Sequence, residues 1–144
     1  RSFLATLYLT GEQNKAWVTY LEIHKNQPEN PIINNNLAWL FMNDGQLDKA
    51  AFHIEKAYKV APELASVADT YSTILLKEGK KRQALEKAEQ AYTLSKGKDV
   101  DIILNYSEIL IANSRKNEAK KILDAIITET NEQKNKKEQL INKL

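Results

Sequence analysis

The fold is decided by residues 30–62, which read NPIINNNLAWLFMNDGQLDKAAFHIEKAYKVAP. Asn30 can cap a helix, and Pro31 suits the first helical position because its missing N–H would be unpaired there anyway. Apolar residues then recur at helical spacing, and Gly45 follows the last turn, where a residue with positive φ ends a helix at little cost. We therefore predict a helix that begins at Pro31, a tight turn, and a second helix over residues 47–60.

The same marks recur along the chain with a period of 34 residues. Gly11, Gly45 and Gly79 are 34 residues apart, and the alanines that stand five residues after each of them keep the step. Pro28 and Pro62 repeat it as well. A fixed period of 34 is typical of helix–turn–helix solenoids. The sequence therefore predicts an all-α fold, an α–α superhelix of antiparallel helix pairs.

The period divides the chain into repeats. We predict a truncated repeat over residues 1–30 and complete repeats over 31–64, 65–99 and 100–130. The next repeat should contain helices over 65–77 and 81–94. The step then grows to 35 residues, since the loop after residue 94 carries one extra residue.

Ser114 stands where the fourth turn glycine would fall. We expect that turn to carry strain of about 1 kcal/mol, or to use another geometry, because a side chain disfavours positive φ.

The two ends of the chain depart from the pattern. The first helix of the first repeat should start before Arg1, and there is no initiator methionine. We therefore expect the chain to be the C-terminal fragment of a longer repeat protein. Residues 131–144 are either a capping helix or a disordered tail. We favour the cap, since Leu140, Ile141 and Leu144 share a face and repeat arrays need a terminal element with a polar outer side.

The repeated pattern resembles that of a known family. The stretch from Leu37 to Phe41, followed in order by Gly45, Ala50, Ala57 and Pro62, resembles the tetratricopeptide repeat (TPR) signature. Ala38, Ser72 and Ser107 stand where the paired helices must approach closely. The resemblance covers about residues 1–130, and it implies a TPR solenoid that binds proteins.

A narrower resemblance concerns residues 36–40 and 44–50. They are similar to the C-terminal repeats of bacterial TPR lipoproteins from exosortase/PEP-CTERM exopolysaccharide systems. This implies a Gram-negative cell-envelope protein that faces the periplasm. Without it, a cytoplasmic location is the expectation.

Composition and motifs argue against several functions. A net charge of +2 gives no long-range field for nucleic acid, and the basic clusters alternate with glutamates as on a solvated helix face. No run of 18 apolar residues would insert in a membrane, and there is no cysteine. His24 is interpreted as a packing residue and His53 as partly exposed. Without zinc spacing or a phosphate-binding loop, we predict no enzyme activity, no metal and no cofactor.

The TPR resemblance also implies where partners bind. The first helix of each pair lines the inner, concave surface, and helical phase selects the side chains that point away from the second helix. The candidate partner-binding residues are Tyr8, Asn35, Trp39, Met42, Asn43, Asp69, Thr73, Lys77, Glu108 and Ile111.

Trp39 is the principal candidate among them. A tryptophan beside Met42 in a groove is the kind of anchor that dominates interfaces. The alternative is that Trp39 only seals the contact between the first and second repeats.

Charge indicates the kind of partner. Carboxylate-clamp TPR domains grip acidic C-terminal tails with basic residues on successive inner helices, whereas Asp69 and Glu108 would repel such a tail. We therefore predict that chaperone-type EEVD tails do not bind, and that a peptide with apolar and basic character does.

A second hypothesis is structural. Phe3, Leu7, Trp17 and Tyr20 would lack the cover of an upstream repeat, so they would leave an apolar N-terminal end that favours a homodimer.

Overall fold

The computed structural model describes residues 11–144, which form eight α-helices joined by short turns. They are α1 (Gln13–Asn26), α2 (Pro31–Asn43), α3 (Leu47–Val60), α4 (Ala65–Lys77), α5 (Lys81–Leu94), α6 (Val100–Ala112), α7 (Lys116–Ala125) and α8 (Asn131–Ile141). The chain divides into an N-terminal unit, Arg1–Pro62, and a C-terminal unit, Glu63–Leu144. No described helix combines the length and apolar content needed to cross a membrane.

In the N-terminal unit, α2 packs against both α1 and α3. The Asn30 side chain caps α2 as expected, since its Oδ1 accepts from the N–H groups of Ile32 and Ile33 at 2.9 and 3.3 Å. Gly45, with φ +79°, ends the helix, and the next N–H returns to the carbonyl of Phe41. This closure of the last turn lets α3 reverse direction.

Aromatic rings fill much of this unit. Trp17 meets Phe41 edge-on at 4.8 Å between centroids, and Phe41 stacks on His53 at 5.3 Å. The expectation that His53 is partly exposed was wrong, because it is buried with 9% of its surface exposed. Its ring also meets His24 edge-on at 5.2 Å. His24 is partly buried, in keeping with a packing role.

The apolar end expected on α1 also differs from the prediction. Tyr20 is buried, and its hydroxyl forms a hydrogen bond with the Asn36 side chain. Trp17 is half-buried and packs against Phe41. The exposed apolar side chains of α1 are Val18 and Leu21 instead. Phe3 and Leu7 lie outside the described residues.

In the C-terminal unit, α4 pairs with α5 and α6 pairs with α7, while α6 also packs on α5. The core of this unit combines aliphatic side chains with the buried ring of Tyr106. It contains Ile74, Ile109, Leu110 and Leu123, each 0% exposed. The small side chains of Ser72 and Ser107 are fully buried too, as close helix approach requires.

Two turns explain the departures from the 34-residue period. The extra residue lies in a turn where Lys96 and Gly97 both have positive φ, 58° and 64°. Ser114 adopts φ 62°, so the strain predicted for this turn is present.

The C-terminal segment forms α8, which packs on α6 and α7. Thr130 begins it with a capping box, in which Gln133 N–H donates to the Thr130 hydroxyl at 3.1 Å. Of the three apolar residues expected on one buried face, only Leu140 is buried. Ile141 and Leu144 are 41% and 38% exposed, since the helix ends at Ile141.

Candidate functional site

Three of the predicted partner-binding residues line one pocket in the C-terminal unit. Asp69 and Thr73 come from α4 and Glu108 from α6, and the pocket volume is about 340 Å³. The remaining lining residues are Asp101, Leu104, Asn105, Glu132, Gln133 and Lys136. The pocket therefore joins the first helices of two successive pairs to α8.

Asn105 fixes the two helices at the floor of this pocket. Its Nδ2 lies 2.8 Å from Asp69 Oδ1, 3.0 Å from Ser72 Oγ and 3.1 Å from Thr73 Oγ1. Both hydroxyls donate to the Asp69 carbonyl, so their lone pairs face the amide. This network holds the Asp69 carboxylate in one orientation before any ligand arrives.

The pocket is rich in carboxylates. The pKa of Asp69 is raised from 3.8 to about 6, mainly by burial; the Asn105 amide opposes this shift, and the charges of Asp99 and Asp101 contribute to it. Such a group stays charged at neutral pH but gains from a neighbouring cation, since an opposite charge favours the ionised form.

Two other acidic groups of the pocket, Glu108 and Asp101, have partners on α8. Lys136 Nζ lies 3.0 Å from Glu108 Oε1. Gln133 Nε2 donates to Asp101 Oδ1 at 3.1 Å. Within residues 11–144, no group of three His, Asp or Glu side chains is arranged to hold a metal ion.

The other predicted residues lie elsewhere. In the N-terminal unit, Trp39 and Asn35 are partly buried, Met42 is buried at 7% exposure, and Asn43 is exposed. Asn43 Nδ2 donates to the Trp39 carbonyl at 2.8 Å. The burial of Met42 leaves it little surface for a partner.

In the C-terminal unit, Lys77 is exposed, and Ile111 packs against the core formed by α5, α6 and α7. Tyr8 lies outside the described residues.

Six of the nine residues that line the pocket were not among the predicted partner-binding residues. Asp101, Asn105 and Glu108 recur at i, i+4 and i+7 on α6, so helical phase could have placed all three on one face. Gln133 and Lys136 could not be found in this way, because their place depends on how α8 packs.

Comparisons with known protein families agree with the observed fold. Models described as tetratricopeptide repeat match residues 32–64 and 75–136. No curated protein matches the chain.

Several solved structures are similar. A thermophilic TPR protein from Thermus thermophilus has a TM-score of 0.77 at 15% identity, over 97% of this chain and 77% of that one. PilF of Pseudomonas aeruginosa has a TM-score of 0.73 at 16% identity, over 96% of this chain and 64% of that one. A chain of the APC/C hetero-tetramer Cut9–Hcn1 has a TM-score of 0.74 at 17% identity, over 85% of this chain and 23% of that one.

At these identities the likeness of the solved structures shows the fold alone. The narrower resemblance to exosortase-system lipoproteins gains no support from these structures. The family models match within both units, and the pairwise packing of the helices agrees with them. The chain therefore belongs to the tetratricopeptide repeat proteins, scaffolds for protein–protein interaction that are typically not catalytic.

Proposed function

We propose that this chain is a peptide-binding scaffold whose C-terminal unit recognises a basic side chain of its partner. One observation carries the proposal: Asp69, Thr73 and Glu108, chosen from sequence as inner-face residues, line one pocket together with Asn105. The pocket has four carboxylates and one ammonium group among its lining residues. Its charge therefore favours a cationic ligand.

The organised floor supports the same conclusion. Asn105 holds Asp69 in place from a different helix, so the acceptor is preorganised and little side-chain entropy is lost on binding. A lysine or arginine side chain could donate to Asp69 while its aliphatic stem lies along Leu104. A carboxylate tail would meet like charges at the same place.

The test is a binding measurement by calorimetry with short capped peptides of apolar and polar residues around one central lysine. The lysine peptide should bind, and the same peptide with a central glutamate should not. Removing the pocket charges with Asp69→Asn, Asp101→Asn and Glu108→Gln together should weaken binding at least about tenfold, since charge-assisted hydrogen bonds contribute about 1.5–3 kcal/mol each.

The matched control removes equal charge elsewhere on the same unit. Glu86, Asp124 and Glu138 are exposed and do not line the pocket. Their neutralisation should leave the affinity nearly unchanged. Equal losses in both triple variants would mean that general attraction, not the pocket, drives binding. Tighter binding of the glutamate peptide would contradict the proposal.

The role of Trp39 is tested separately in the same binding measurement. If it is an interface anchor, Trp39→Ala should weaken binding of a longer partner by about 2 kcal/mol or more with helicity unchanged. Lost helicity at unchanged affinity would mean that Trp39 only supports the packing of the N-terminal unit.

Self-association is the alternative function, and one observation favours it. Val18 and Leu21 lie three residues apart on α1 and are 58% and 45% exposed. An apolar pair of this kind can mediate contact between copies. A sedimentation measurement that finds only monomers at high concentration would contradict it. The envelope and exopolysaccharide setting stays a prediction from the resemblance, which capture of partners from an envelope fraction would test.

A further inference from the structure

The acidic pocket already receives a cation from the chain itself. Lys136, on α8, places its ammonium 3.0 Å from Glu108 Oε1, and these side chains are 37% and 30% exposed. Three residues earlier on the same helix, Gln133 donates to Asp101. One face of α8 thus satisfies two of the pocket's carboxylates in the way that a basic peptide would.

α8 is held in place by contacts that do not involve these carboxylates. Leu140 is fully buried in a cluster with Ile103, Leu104, Leu123 and Ile126. Lys137 Nζ donates to the Ile126 carbonyl at 3.1 Å, and the capping box fixes the start of the helix. The Lys136 side chain can therefore leave Glu108 while the helix keeps its position.

We propose that Lys136 is an internal competitor for the pocket, an inference that rests on the proposed peptide-binding function. A partner's basic side chain reaches Glu108 only after it displaces the Lys136 ammonium. The Lys136–Glu108 ion pair therefore lowers the affinity of the pocket for weakly bound cationic ligands. It also favours arginine over lysine in the partner, because a guanidinium offers a bidentate fork that the displaced ammonium cannot match.

The test measures the dissociation constant of the same lysine peptide by calorimetry for three variants, two at position 136 and one at position 134. Lys136→Gln removes the competing charge and should tighten binding about two- to fivefold, the range expected for a partly exposed ion pair. Lys136→Arg keeps a cation there and should not tighten binding. Lys134→Gln makes the same change of net charge at an exposed site on the same helix and should leave the constant near that of the parent chain.

The outcomes separate this inference from the proposed function. If no variant and no parent chain binds the lysine peptide, the proposed function fails. If the parent binds and Lys136→Gln binds equally or more weakly, the competitor role is overturned, and weaker binding would mean that Lys136 is part of the ligand site. Equal tightening by Lys134→Gln would show a general charge effect and would also overturn it. Circular dichroism checks that each variant keeps its helices.

Discussion

Asn34 in the N-terminal unit and Asn105 in the C-terminal unit each bridge two helices, and the two bridges differ in what surrounds them. Asn34 in the N-terminal unit is fully buried, and its Oδ1 pairs with His53 Nδ1 at 2.9 Å. Asn105 in the C-terminal unit is partly exposed and holds the Asp69 carboxylate at the floor of a pocket. The same residue type thus serves stability in one unit and, by our proposal, recognition in the other. Substitutions can separate these two uses.

The largest expected effect concerns the buried bridge. Burial lowers the pKa of His53 from 6.5 to about 4, with the charges of His24 and Lys56 adding to the shift. Because the folded pKa is depressed, the unfolded chain takes up the proton first as pH falls. The stability of the N-terminal unit should therefore decrease between about pH 6.5 and 4, by about 2–3 kcal/mol in total. NMR titration of His53 and urea unfolding at several pH values would measure this.

Two variants sharpen the measurement. His53→Gln does not titrate but keeps a donor for Asn34, so its stability should vary less with pH and should fall little at pH 7. His53→Leu leaves the buried Asn34 oxygen without a donor, which should cost about 1–3 kcal/mol at pH 7. An NMR pKa near 6.5 for His53, or equal stability of these two variants, would show that this bridge does not carry the stability assigned to it.

The next effect concerns the exposed bridge and has the opposite sign. The pKa of Asp69 is raised to about 6, so the stability linked to its proton is present below pH 3.8 and is lost as pH rises through 6. Asp69→Asn should therefore stabilise the C-terminal unit at pH 7 by about 1–3 kcal/mol, with little gain at pH 4. The same variant should bind the lysine peptide more weakly. Urea unfolding and calorimetry test the two halves of the prediction.

Asp124→Asn is the matched control for this prediction. Asp124 is an exposed carboxylate paired with Lys120 one turn away, so its removal should change stability by no more than about 0.5 kcal/mol. If Asp69→Asn destabilises the unit and also weakens binding, Asp69 is structural like His53, and the contrast between the two bridges disappears.

The smallest effect contrasts two turns. Ser114 and Gly45 have similar positive φ, 62° and 79°. Ser114→Gly should relieve strain and stabilise the C-terminal unit by roughly 0.5 kcal/mol, since the added chain flexibility of glycine offsets part of the gain. Gly45→Ala should cost about 1 kcal/mol through the backbone alone, because a Cβ there meets no atom within 4 Å. Thermal melts of both variants test the two predictions, and a Gly45→Ala variant more stable than the parent chain would contradict the contrast between the turns.

The fold was largely accessible from the sequence because its signals are local. Glycine turns and apolar spacing gave helices 47–60, 65–77 and 81–94, and these match α3, α4 and α5. The start of α8 was also readable, since Thr130 and Gln133 have capping-box spacing, although the sequence reasoning did not use it.

Only three of the nine pocket residues were predicted from the sequence, because several of the others depend on contacts that are not local. Helical phase selected Asp69, Thr73 and Glu108, but it could not reveal that Lys136 returns to Glu108 from another helix 28 residues further along the chain. The burial of His53 was missed in the same way. Its partners Asn34 and Phe41 lie on α2, and only the packing of α2 on α3 brings them to it.

Asn34 also limits how this sequence can change over evolution. Its amide donates to the main-chain carbonyls of Pro28 and Asn30 at 2.9 and 3.1 Å while its oxygen accepts from His53. Aspartate lacks the two donors, serine lacks the reach, and glutamine is one methylene too long. The carbonyls, by contrast, are present whatever residues occupy the loop before α2. As far as this contact is concerned, the loop is free to drift among relatives while position 34 is confined to asparagine.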